Sequence, residues 1–167
     1  MVELGIVGGR NSGKTTLVET LVRNLVRLGY RVATVKHTAH EHTFDQNGKD
    51  TRRHRQAGAG MTLAISGSEL AMFADPTEAY RRILMNAMAD KFDICLVEGD
   101  RSASRPKLLL TRNRNTKDNE IPDNVVAVYG PNPPDATTPC FGLGDVDGLV
   151  VFIVRRYLTW SAEATNA

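Results

Sequence analysis

Cysteine is scarce in this chain: Cys95 and Cys140 are the two thiols among 167 residues. Both stand among apolar or neutral neighbours, which argues against a disulfide-stapled scaffold and predicts two buried free thiols. Long apolar runs are missing as well. The longest, Leu149 to Val154, falls far short of the roughly 20 residues a helix needs to cross a bilayer, so no membrane span is expected. The opening stretch MVELGIVGG has an acid at Glu3 and no basic segment, so it reads as the start of a strand rather than an export signal, and the expected location is cytoplasmic. Nor does one sign of charge dominate, since 21 Lys and Arg face 19 Asp and Glu for a net charge of +2. With 41% apolar residues the chain has the composition of a folded protein; disorder needs fewer apolar residues and a larger net charge.

The charge is nevertheless uneven. Residues 1–60 hold 10 bases and 5 acids, whereas residues 61–167 hold 11 and 14. A basic N-terminal part suits nucleic acid or a small polyanion, and the motifs must decide between them.

Residues 4–9, LGIVGG, form an apolar run that ends in glycines. Leu17, Leu21, Leu25 and Leu28 then recur at helical spacing, with Val18, Val22 and Val26 as the adjacent ridge, and Gly29 suits a left-handed C-terminal cap. A second apolar run, Val32 to Val35, completes a strand, loop, helix, strand unit. The polar stretch 38–50 reads as a surface loop, and a short helix is expected from Asp50 to Ala57. Met61 to Ile65 and Glu69 to Phe73 read as strands joined at Gly67-Ser68, and Asp75-Pro76 as the cap and first position of a helix reaching about Lys91. Asp93 to Glu98, Lys107 to Thr111 and Val125 to Tyr129 read as strands, Pro131 to Pro139 as a rigid connection, and Val146 to Leu158 as the last helix. The alternation predicts an α/β fold in three layers, with a mainly parallel central sheet flanked by helices.

The stretch GGRNSGKTT fits GxxxxGK[ST], with Gly8, Gly13, Lys14 and Thr15 in the fixed places and a strand and a helix on either side. This is the P-loop pattern of NTPases. Glycines let the backbone curl so that N–H groups of Gly9, Arg10, Asn11, Ser12 and Gly13 converge on a phosphate, with the positive end of the helix dipole behind them. Lys14 would reach the β and γ phosphates, the Thr15 hydroxyl would ligate Mg2+, and Thr16 would hydrogen-bond the α phosphate. A P-loop needs a second acid near the metal. Glu98, ending the run DICLVE, is the candidate; Asp93 begins that run and should lie at the opposite edge of the sheet. On this reading residues 1–158 form the nucleotide-binding domain and residues 159–167 a flexible tail.

All four histidines, His37, His40, His42 and His54, fall in KHTAHEHTFDQNGKDTRRHR. The HxxHxH spacing could hold zinc, yet no cysteine is near and Glu41, Asp45 and Asp50 are mixed with basic residues, so a solvated loop beside the γ phosphate is the preferred reading. Lys36 and Asp50 then join the phosphate site. Arg52, Arg53 and Arg55 lack interleaved aromatics, which disfavours nucleic acid. The guanine-reading NKxD signature is absent, and NTKD at Asn115 to Asp118 displaces its lysine.

On GGRNSGKTT, VKHTAHEH leading to GKDT and QAGA, LVEGDR, and FGLGDVDGLVVFIV, the chain resembles the molybdopterin-guanine dinucleotide biosynthesis protein B (MobB) family. The resemblance implies a P-loop protein, often dimeric, that binds GTP with Mg2+, hydrolyses it slowly, and serves as an adapter to the guanylyltransferase (MobA) that attaches GMP to molybdopterin. It implies that Gly13, Lys14, Thr15 and Thr16 hold phosphates and metal, that Glu98 is the acidic strand-end residue, and that Lys36, His37, Asp45 and Asp50 belong to the triphosphate or pterin site. Family members often carry an aromatic and a lysine where Gly9 and Arg10 stand here, an aromatic at Asp100, and an aspartate suited to guanine where Pro131 and Asn132 follow Gly130. The choice between GTP and ATP therefore stays open. A P-loop small-molecule kinase, with Arg101 to Arg105 or Arg112 to Arg114 as lid arginines, is the alternative. Replacing Lys14 by Ala is expected to abolish tight triphosphate binding while the fold survives; unchanged affinity in a nucleotide titration would overturn the phosphate-loop assignment.

Overall fold

The computed structural model describes residues 1–38, 43–112 and 121–158. The elements follow in the order β1 (Val2–Gly8), α1 (Lys14–Arg27), β2 (Val32–Lys36), α2 (Asp50–Gln56), β3 (Met61–Ile65), β4 (Leu70–Ala74) and α3 (Glu78–Ala89). They continue with β5 (Ile94–Glu98), β6 (Lys107–Leu110), β7 (Val125–Tyr129), β8 (Cys140–Phe141) and α4 (Val146–Tyr157). The chain divides into two compact units, residues 1–39 with 88–167, and residues 40–87.

The larger unit is built on a six-stranded sheet in the order β2-β5-β1-β6-β7-β8, each neighbouring pair parallel. Its central strands are buried on both faces, which is why they read as continuous apolar runs rather than alternating ones. Leu4, Ile6, Ile94, Leu96, Leu108 and Leu110 share one core cluster with Leu17, Leu21 and Leu25 of α1 and Leu149 and Ile153 of α4. Alternate residues Val7, Leu109 and Val128 form a smaller cluster. Each fully buried aliphatic side chain contributes about 1.5–3 kcal/mol.

The ends of α1 and α4 follow from their local sequence. At the end of α1, Gly29 adopts φ 86° and its N–H donates to Val26 O, while Tyr30 N–H donates to Leu25 O. This is a Schellman cap, with Tyr30 packed in the same cluster as Leu25. At the start of α4, the Asp145 carboxylate accepts from Gly148 N–H at 3.0 Å. The cap expected at Gly29 is therefore present and Asp145 supplies a further one at the start of α4, whereas α3 begins at Glu78 rather than at the expected Asp75-Pro76. There Thr77 supplies the cap, its hydroxyl accepting from Tyr80 N–H at 3.3 Å.

Strand β8 directly follows the connection expected at Pro131 to Pro139 and adds to the strands expected from the sequence. It is held because Val128 N–H donates to Pro139 O and Gly130 N–H to Phe141 O, both at 2.8 Å. A strand this short carries no periodicity to detect. Cys140, expected to be buried, is exposed on it, while Cys95 is buried as expected and its thiol is pushed up to about 11 by that burial. Among the described residues no helix is long and apolar enough to cross a membrane.

In the smaller unit β3 and β4 pair as an antiparallel hairpin in which Leu63 faces Met72 and Ile65 faces Leu70. Met61, Leu63, Ile65 and Leu70, on one face of that hairpin, are exposed.

Leu21 is 0% exposed in the main core. Its replacement by Ala is expected to lower the unfolding free energy by about 2–5 kcal/mol, read from the midpoint shift in a urea titration.

Candidate functional site: the loop between β1 and α1

After Gly8 the backbone must turn from the sheet edge into α1, and the geometry leaves no room for a side chain at that corner. A Cβ on Gly8 would sit 2.8 Å from Leu110 O and 2.9 Å from the Ser12 hydroxyl. Asn11 and Gly13 take φ 57° and 93°, so the loop coils through left-handed positions and Gly13 becomes the N-cap. That cap offers no side-chain acceptor, and the first turn of α1 holds no acid. An uncapped helix start of this kind favours an anion.

Lys14 is half-buried, not exposed as an open loop would have it. Its ammonium donates to Gly8 O at 3.1 Å and Gly9 O at 2.7 Å, so it lies against the loop's own carbonyls. Arg10, Asn11, Thr15 and Thr16 are exposed and Ser12 is buried. Arg10 through Thr15, with Glu98, line a cavity of about 340 Å3.

Glu98 reaches this cavity because β5 lies between β1 and β2. The Thr15 hydroxyl donates to its carboxylate, 3.0 Å from Oε1 and 3.2 Å from Oε2. Lys36 is its cross-strand neighbour on β2, with Nζ 3.4 Å from Oε1. His37 N–H donates to Glu98 O at 2.8 Å. Asp93, before the other end of β5, is engaged there by Arg31 at 2.7 Å, and this hydrogen bond holds its carboxyl below the usual range. The two acids of DICLVE therefore stand at opposite edges of the sheet.

A second cavity of about 300 Å3 adjoins Lys14 on the side of His37, Asp100 and Arg101. Of the residues that shape it, Gly99 and Lys107 were not legible as functional in the sequence. Gly99 adopts φ 92°, and a Cβ there would collide with the His37 carbonyl oxygen. Arg105 binds Asp100 at 2.7 Å and Glu3 at 3.0 Å. Lys107 is wholly buried, its ammonium donating to Ala103 O and, at 2.8 Å, to Asp123 O. Burial holds that ammonium's pKa below the ordinary lysine value. In KLLL a lysine reads as an ordinary strand start, and only the tertiary structure reveals it as the anchor of the loop after Glu98.

Asp45 and Asp50 belong to the smaller unit. Asp45 is buried and accepts from the Thr51 hydroxyl at 2.7 Å; Asp50 is exposed at the start of α2, 3.6 Å from Arg53. Arg55 pairs with Asp75 at 2.7 Å. The zinc reading of His40 and His42, the NTKD stretch Asn115 to Asp118, Arg114 and the tail 159–167 lie outside the described residues. Among the described residues no group of three His, Cys, Asp or Glu is placed to hold a metal ion.

The donor set fits a polyphosphate and a divalent ion. The loop corner is closed to side chains, a lysine stands at its mouth, and the Thr15 hydroxyl and Glu98 carboxylate are hard oxygen ligands suited to magnesium. A parallel sheet whose first strand passes through this loop into an uncapped helix, with an acid ending the neighbouring strand, defines the P-loop NTPase class of α/β proteins.

Comparison with known proteins places the chain within that class. The family model for MobB, molybdopterin guanine dinucleotide synthesis protein B, matches residues 3–130, and the chain belongs to this family. It is 36% identical over 131 residues to the molybdopterin-guanine dinucleotide biosynthesis adapter protein of Haemophilus influenzae, covering 75% of this chain and 72% of the relative. With the adapter protein of Escherichia coli it shares 31% identity over 159 residues, 91% of each chain. The crystal structure of a MobB protein homologue from Bacillus stearothermophilus matches with a TM-score of 0.67 at 28% identity, covering 93% of this chain and 97% of that one. The Bacillus subtilis MobB structure matches in fold with a TM-score of 0.74 at 23% identity over the same shares.

Gly99→Ala combines a disfavoured φ with a backbone collision and is expected to lower stability by about 1–3 kcal/mol. Gly142→Ala, which meets nothing within 4 Å, is the control and should leave the thermal midpoint nearly unchanged.

Proposed function

We propose that this chain is a GTP-binding adapter in biosynthesis of the molybdopterin guanine dinucleotide form of the molybdenum cofactor, assisting the guanylyltransferase MobA. It has at most a weak, Mg2+-dependent GTPase activity. The observation that carries this reading is the contact of the Thr15 hydroxyl with Glu98 beside Lys14, at the mouth of a loop with an uncapped helix behind it. Family membership and the names of the relatives supply the pathway.

In this reading the backbone N–H groups of Gly9 to Gly13 orient the phosphates and Thr16 binds the α phosphate. Lys14 leaves the carbonyls of Gly8 and Gly9 to neutralise the β and γ oxygens. Thr15 and Glu98 are the residues that would hold a magnesium ion, whose chemistry is to offset charge on the same oxygens. Lys36 and His37 border the γ-phosphate end. The molecule acts in the cytoplasm as a homodimer, with residues 1–158 as its nucleotide-binding domain. The exposed apolar face of the hairpin at Met61, Leu63, Ile65 and Leu70 supports a self-association surface. Arg10 or Arg101 is positioned on the loops that could serve a partner subunit's nucleotide. Molybdopterin or its dinucleotide is the further ligand, and nucleic acid is not one.

One observation favours a second reading. The cavity of about 300 Å3 beside Lys14 leaves room for an acceptor, as a small-molecule kinase requires. Product analysis separates the two: free phosphate alone fits the adapter, and a phosphorylated acceptor fits the kinase. Turnover, measured with and without the transferase, is expected to be slow for the isolated protein, because the sequence offers no obvious arginine finger or water-positioning glutamine, and such an arginine is worth about 10³ to 10⁵ in rate. Rapid hydrolysis by the isolated chain would sink the adapter reading.

A further inference from the structure

The carboxylate of Glu98 stands between two groups that the fold holds in place. On one side is the Thr15 hydroxyl, 3.0 Å from Oε1. On the other is the ammonium of Lys36, 3.4 Å from the same oxygen. Lys36 and Glu98 are register partners of β2 and β5, so their proximity is built by the sheet and does not depend on a chance meeting of long side chains. Their surroundings differ: the Glu98 side chain is 14% exposed and that of Lys36 is 62% exposed. The carboxylate is therefore poorly served by water and the lysine can leave at little cost.

A carboxylate at the rim of a polyphosphate site repels the polyanion unless a cation neutralises it. A divalent ion does this when it is present. We propose that Lys36 does it when the ion is absent, as an internal counter-cation that competes with the metal for Glu98. The proposal rests on Thr15 and Glu98 being the metal residues. A doubly charged ion and an ammonium against the same carboxylate oxygen repel one another, so the two occupancies exclude each other. When the metal arrives, the flexible four-carbon stem lets the largely exposed ammonium leave Glu98 for solvent. Lysine suits this exchange better than arginine, whose planar fork would hold the carboxylate through two bonds. The consequence is a triphosphate site that loads with little dependence on metal, because one of its own side chains stands in for the ion.

The test is the affinity of the full chain for a fluorescent, non-hydrolysable GTP analogue in Mg2+ and in EDTA. The metal-free to metal-loaded ratio of Kd should be small in the unsubstituted chain. It should rise at least about tenfold in Lys36→Gln, mainly through weaker binding in EDTA. In a Glu98→Gln background the same substitution should leave the ratio unchanged, since there is no charge left to neutralise. A lysine that merely touches phosphate would lose the same factor in both arms, and that result, or no loss in either, overturns the proposal. If the unsubstituted chain binds the analogue in neither arm, the nucleotide reading falls and the proposal with it; binding with an unchanged ratio removes the proposal alone.

Discussion

The arrangement of the site depends on one constraint of the sheet: β5 lies between β1 and β2, and all three run parallel and end at the same edge. That order sets the C-terminal residue of β5 beside both the loop leaving β1 and the last residue of β2. Glu98 therefore meets Thr15 and Lys36 without any long side-chain reach. The backbone also locks the edge, since Gly99 N–H donates to Ile6 O at 3.0 Å and His37 N–H to Glu98 O at 2.8 Å. Open parallel sheets bind ligands at the carboxyl ends of their strands for this reason: converging strand ends are fixed by ladder hydrogen bonds, while the loops beyond them are free to carry chemistry.

The loop that follows Glu98 is fixed from beneath. The buried Lys107 donates to the Ala103 carbonyl, and Arg105 joins Asp100 to Glu3 of β1. A buried ammonium is costly unless its donors are satisfied, so pairing it with backbone carbonyls ties the placement of the loop to the stability of β6. This is a tertiary device, and it gives the fully buried Lys107 ammonium its acceptors.

The parallel sheet, α1 and α4 were legible because their signals are long and mutually consistent: apolar runs bounded by glycines, and a leucine and valine stripe. The loop was legible from Gly8, Gly13, Lys14 and Thr15, and Glu98 from its place at the end of an apolar run. What could not be read was relational. The pairing of Lys36 with Glu98 depends on strand order, which no local pattern states; the exposure of Cys140 depends on a strand of the residues Cys140–Phe141; and Thr77 displaced Asp75 as a cap because either hydroxyl or carboxylate can serve and only the entry angle of the chain decides.

Backbone and side chains at the site differ in how far they are prepared. The left-handed turns at Asn11 and Gly13 and the strand ends are fixed by the backbone itself. The two ammonium groups are not, since Lys14 rests on Gly8 O and Gly9 O and Lys36 on Glu98. A polyphosphate must draw at least the first of these away from protein oxygens, so part of its interaction energy is offset by bonds it breaks. A site built this way recognises charge through a rigid cradle and completes its neutralisation only on loading. Transition-state stabilisation depends on charges preorganised at the reacting group, and ammonium groups engaged with protein oxygens do not meet that condition.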